Sequence, residues 1–175
     1  MAERSTGRRF SGKMTGNMQS FNSVTAFVAH MESRVALLQE AEHRGLKEAC
    51  EILQTEAKAE IGHYQQEAGP FQAWPELAES TKQDRVKSGF PENEPLLRTG
   101  ETRDSIEYTV GHGEARVGSN SPVAVAQEIG TDKIPARSFL GGAAVRKHDE
   151  IVRAMAKPMI ETMIGMSVAK ALGRF

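Results

Sequence analysis

From Phe21 to Tyr64 apolar residues recur at steps of three and four. Phe21, Val24, Val28, Met31, Val35 and Leu38 come first, then Leu46, Ala49, Leu53, Ala57, Ile61 and Tyr64. That period is helical. A helix over 22–66 would be ~65 Å long at 1.5 Å per residue, longer than a small domain is wide. Such an arm has to pack along something else or bend. Gly45, after His43 and Arg44, is where a stop or kink is expected, since cations and a following glycine suit a helix C-terminus. Ser20 or Asn22 is the expected N-cap.

Gly69-Pro70 ends this pattern. Trp74-Pro75 then opens a short helix over 76–88, with Pro75 in its first turn and Trp74 as a buried anchor. The stretch from Pro95 to Gly141 holds most of the turn chemistry. Thr99 is placed to cap a single turn over 101–105. Ile106, Tyr108 and Val110 alternate, as do Ala115 and Val117, with Gly111-His112-Gly113 between them, so the spacing predicts a hairpin over about 105–118. Val123 to Ile129 reads as one or two helical turns stopped by Gly130, and Ile134 to Leu140 as an extended run through Pro135. A second helical pattern, over 143–172, carries Ala144, Val145, Ile151, Val152, Met155, Met159 and Ile160 on one face, with a kink expected at Pro158.

The fold class this predicts is α+β, a small antiparallel sheet flanked by a long N-terminal helix and a C-terminal helix. Residues 1–19 read as a flexible basic arm and 20–175 as one domain. Hydrophobic residues make up 39% and aromatics 6% of the 175 residues, which supports only a modest core for this length. Part of the apolar surface is therefore expected to be buried by other subunits. The net charge of −1 hides an uneven distribution. Residues 31–68 carry eight Glu against four basic residues, and residues 132–175 carry eight basic residues against four acidic. An acidic first half and a basic C-terminal arm suit charge-complementary packing.

Catalytic, cofactor and metal sites find no support in the sequence. The five histidines, His30, His43, His63, His112 and His148, make no HxxxH or HExxH spacing, and a lone cysteine, Cys50, forms neither a zinc pair nor an intrachain disulfide. A single cysteine fits a reducing compartment. The Gly111–Gly113 and Gly118 turns lack a Walker lysine or a GxGxxG before a helix, and no serine lies in a GxSxG elbow. Paired Glu40/Glu42 and Glu48/Glu51 read as a solvated helix face. No apolar run approaches the ~20 residues of a membrane span, and the basic N-terminus lacks the apolar core of a secretory signal. Arg98, Arg103, Glu128 and Arg137, set among turn residues, are expected to form bidentate pairs that lock hairpin and loop. Met155, Met159, Met163 and Met166 make an adaptable stripe for packing or for a partner.

Five short motifs follow one another in order: Trp74-Pro-x-Leu77 with Ser80-Thr81, Leu97-Arg98-Thr99-Gly100 to Ser105-Ile106, Val117-Gly-Ser-Asn120, Gln127-Glu128-Ile-Gly130-Thr131, and Ile134-Pro135-Ala-Arg137-Ser-Phe139-Leu140. Their order and spacing over 74–145 resemble the virion-morphogenesis, or tail-completion, proteins of tailed bacteriophages. The chain departs from that family at Thr102, Val123, Ile129 and Ser138, where the family carries an apolar residue, two aromatics and a proline. The resemblance implies an α+β subunit without a catalytic site or cofactor, assembled with copies of itself as a sixfold or twelvefold ring at the virion neck. Partners implied are head connector or adaptor proteins on one side and the tail terminator or tail tube on the other. DNA would pass through the lumen without sequence-specific contact, and assembly would take place in the host cytoplasm, with no membrane involved. A tail terminator or connector adaptor is the alternative within the same neck. A nucleic-acid-binding module using the basic arm and C-terminal helix is the alternative from another class.

Overall fold

The computed structural model describes residues 21–171, with side chains from 21 to 165. The basic arm at 1–19 therefore lies outside the described residues. Helix α1 runs Val24–Glu60, ~55 Å at the helical rise. Its cap is Ser23, not Ser20 or Asn22: the Ser23 hydroxyl accepts from the Ala26 amide at 3.1 Å. The remaining helices are α2 (Glu79–Lys87), α3 (Glu101–Asp104), α4 (Pro122–Ile129), α5 (Leu140–Arg146) and α6 (His148–Ala171), and strands β1 (Ile106–Val110) and β2 (Ala115–Ser119) form the hairpin. The α+β architecture expected from the sequence is the one observed.

Two boundaries of the long helix differ from expectation. Gly45 does not stop α1, which runs on through it. A Cβ there would lie 2.6 Å from the Met155 carbonyl oxygen, so glycine is what lets α6 approach. Ala41, Gly45, Ala49 and Ala57, all buried, make a narrow seam of small residues along α1. Helices α5 and α6 run back along α1, with Arg146 of α5 beside Glu60 and Met155 of α6 beside Gly45. The helix also ends at Glu60 rather than near residue 66. Ile61 is already extended, Gly62 takes φ +101°, and the Gly62 amide is held by the Pro95 carbonyl at 2.9 Å. Apolar periodicity runs on to Tyr64 because those side chains turn into the core after the helix has stopped.

The strands pair antiparallel with Ile106 opposite Ser119, Tyr108 opposite Val117 and Val110 opposite Ala115. A two-stranded hairpin is marginal alone. This one lies on α1, with Gln54 donating to the Ile106 carbonyl at 2.7 Å and the Tyr108 hydroxyl to Glu51 at 3.0 Å. The core gathers Ala57, Ile61, Trp74, Ile106, Ala124, Phe139 and Ala143, with Leu53, Leu97 and Val117 packed against it. Ile106 and Phe139 are wholly buried, and Trp74 is the anchor the sequence suggested. The short helix after Trp74 begins at Glu79, later than expected, and follows an extended segment in which the Trp74 amide bonds the Gln65 carbonyl at 2.9 Å.

The C-terminal pattern is two helices, not one over 143–172. Lys147 separates α5 from α6, and α5 already starts at Leu140. It includes Gly141, where a Cβ would meet the Phe71 ring at 2.3 Å, so that ring and helix can touch only at glycine. Pro158 is buried within α6, which continues from His148 to Ala171.

Candidate assembly surfaces and their anchoring network

The charged residues of the 95–141 stretch are spread over separate anchors. Glu128 and Arg137 do not pair, contrary to expectation. The Glu128 carboxylate sits at the start of α5 and accepts from the amides of Phe139 (2.8 Å), Leu140 (2.9 Å) and Gly141 (2.9 Å) and from the Ser138 hydroxyl (2.6 Å). It thus satisfies amides that a helix start leaves without partners, and a carboxylate is favoured there by the helix dipole. Gly130 ends α4 just beyond Glu128, and Pro135 is exposed in the loop that returns to Arg137. The Arg137 guanidinium instead donates to the Pro75 and Glu76 carbonyls at 2.9 and 3.3 Å, tying that loop to the segment after Trp74. Burial pulls its pKa below the usual arginine range.

Arg98 pairs with Asp84 at 2.9 Å and lies over the Phe90 ring at 5.1 Å. Arg103 turns to its neighbour Asp104 at 3.0 Å. Thr99 does not cap the 101–104 turn. Gly100 holds the cap position at φ +88°, a conformation an L side chain adopts only with strain. Arg98, Thr99, Gly100 and Arg137 nevertheless meet, all lining one cavity of about 370 Å³.

Two buried charged residues, Arg85 and Glu60, and the half-buried Arg146 escaped the sequence reading. Arg85 is 4% exposed and donates to the Pro91 and Leu97 carbonyls at 2.7 and 2.5 Å. Its helix has no apolar face, so the arginine itself is the docking element; the absence of such a face was the available signal. Glu60 and Arg146 meet at 2.5 Å across the joint between α1 and α5, and Arg146 also donates to the Gln66 carbonyl at 2.6 Å. Burial pushes the Glu60 carboxyl up to about 7, and the neighbouring Arg146 charge offsets this only in part. No local pattern announces a pair so distant in sequence.

The surface is as distinctive as the anchors. On the first half of α1, Val24, Phe27, Val28, Met31 and Val35 form a stripe of one helix face with exposures from 44% to 79%. On α6, Met155 packs towards α1 while Val152, Met159, Ile160, Met163 and Ile164 are exposed. Met166 lies beyond the described side chains. The cleft between the two helices, about 660 Å³, has Ile52, Ala154 and Ile160 in its wall and Glu48, Arg153, Lys157 and Glu161 among its charged residues. On α4, Val123, Val125 and Ile129 also face outward.

Among the described residues no group of His, Cys, Asp or Glu is arranged to hold a metal ion, and no helix is long and apolar enough to cross a membrane. Cys50 is buried in α1, where burial and then the Glu51 charge raise its thiol pKa, which disfavours the reactive thiolate. Comparison with protein-family models, with curated proteins and with solved structures finds no match for this chain.

Proposed function

We propose that the chain is a structural assembly subunit of a tailed bacteriophage neck, completing the tail or joining it to the head as a ring of copies. The observation that carries this reading is the uncovered stripe on α1. Monomeric proteins scatter large apolar residues singly over their surface, and a contiguous row of them marks an association face. The stripe from Val24 to Val35 lies on a limb that projects past the core, where a neighbouring copy has access to it. The exposed row on α6 gives the same limb a second face, and the outward residues of α4 give the centre one. An isologous or head-to-tail use of such faces closes a ring if the rotation between copies closes. The five ordered motifs between Trp74 and Leu140 support the neck as the place of assembly. They form the anchored centre that sets the direction of the limb.

Deletion of the gene in its phage or prophage tests the reading. Loss of finished tailed particles, with heads and tails accumulating unjoined or incomplete, is the expected result. Normal yields of finished particles contradict it. Tight, steeply salt-dependent DNA binding by the isolated protein would move the chain to the nucleic-acid-binding class instead.

A further inference from the structure

Two arginines in the centre are buried without an acidic side chain paired to them among the described residues. Arg85 and Arg137 are 4% and 5% exposed. Arginine is almost never fully buried without a partner of opposite charge, because moving a charge out of water is costly. Yet Arg85 donates to Pro91 and Leu97, and Arg137 to Pro75 and Glu76, through backbone carbonyl oxygens alone. Neither joins an ion pair among the described residues.

Both line the same cavity of about 370 Å³, together with Arg98. Glu101 is the one acidic residue in its wall, and of the three arginines only Arg98 has an ion-pair partner among the described residues, Asp84. The polar groups around them are suited to receiving oxygen atoms. The hydroxyl residues Thr99, Thr102 and Ser121 contribute to the lining. The buried Arg137 Nε is a donor with no hydrogen-bond partner among the described residues.

We propose that this cavity is a receptor for a carboxylate, the side chain of an Asp or Glu presented by a partner polypeptide. A planar carboxylate matches the fork of a guanidinium and bonds it in bidentate fashion. Leu77, Leu96 and Val123 give the wall apolar area against which the methylenes of such a side chain can lie. A nucleic-acid backbone fits less well. Its phosphates reach exposed, extended lysines and arginines, whereas two of these guanidiniums are recessed. The inference rests on the cavity alone and does not depend on the ring assembly.

The test is a titration of the isotope-labelled full chain with a blocked glutamate, N-acetylglutamate methylamide, followed by NMR. Arginine Nε–Hε signals and the backbone amides of Thr99, Thr102 and Val123 are the readout. Saturable shifts confined to these groups are expected, with a Kd in the millimolar range. The Arg98→Gln variant, altered at a half-exposed side chain outside the core, should bind about fivefold or more weakly, a loss of about 1 kcal/mol. Arg137→Gln should abolish binding if it folds. The neutral N-acetylglutamine methylamide should leave the signals unmoved. Equal shifts with the neutral analogue, no shifts with the acid, or shifts with inorganic phosphate or a DNA duplex but not with the carboxylate would each overturn the proposal.

Discussion

The centre of the molecule and its helical limb are held together by opposite means. The centre packs large side chains, Phe139, Ile106 and Trp74, and fixes its loops with half-buried Glu128 and with the buried Arg137 and Arg85. The limb, α6 and the part of α1 before Leu53, meets along Ala41, Gly45 and Ala49 and leaves its larger residues outside. Burial of apolar area stabilises roughly in proportion to its size. The centre buries most of its large apolar side chains within the chain, while the limb leaves much of its apolar area exposed. The difference separates a packed frame from a limb with uncovered apolar faces.

The largest effect is expected in the core. Phe139→Ala removes a wholly buried ring and should cost about 3–5 kcal/mol, measured by denaturant unfolding. Loss of the α5 cap comes next. Glu128→Ala leaves three amides and the Ser138 hydroxyl without their acceptor, with an expected cost of about 2–4 kcal/mol. A loss below half a kcal/mol would show that water replaces the carboxylate freely.

The joint between the two regions should respond to pH. The Glu60 carboxyl is raised from 4.5 to about 7 in the folded chain. Between those values the folded state retains a proton that the unfolded state has released. This stabilising contribution is complete below about pH 4.5 and is lost as pH rises through 7, a change of up to roughly 3 kcal/mol. Glu60→Gln should flatten that part of the stability profile, and an unchanged slope in the variant would assign the effect elsewhere.

Smaller effects should distinguish limb from centre. Gly45→Ala improves helix propensity by about 1 kcal/mol, yet its methyl would press on the Met155 carbonyl at 2.6 Å. A net loss of about 1–2 kcal/mol is expected from such overpacking. Hydrogen exchange should quicken in α6 and stay unchanged in the hairpin. A gain in stability would mean that α6 shifts away at no cost. Val28→Asp with Val35→Asp, on the outer face of α1, should change monomer stability by about 1 kcal/mol or less.

The hairpin was legible in the sequence because alternation and glycine turns are local signals, and Ile106, Tyr108 and Val117 fall where alternation put them. Helix α4 was legible for the same reason, being short and bracketed by Pro122 and Gly130. What was misread depends on distant partners. Gly45 resembles a helix stop in sequence, but its role is set by Met155 on another helix. The end of α1 depends on the Pro95 carbonyl that holds Gly62. Glu128 and Arg137 suggested each other as partners by charge, yet backbone groups occupy both. Of the cavity, the sequence supplied Arg98, Thr99, Gly100 and Arg137 but gave no sign of Arg85, whose importance comes from burial alone.

Complementation of the deleted gene by the Val28→Asp, Val35→Asp variant tests the division of labour between centre and limb most directly. The folded variant, with a melting temperature close to that of the parent chain, is predicted to restore few or no finished tailed particles where the parent restores them fully. Equal particle yields from the two would contradict the account.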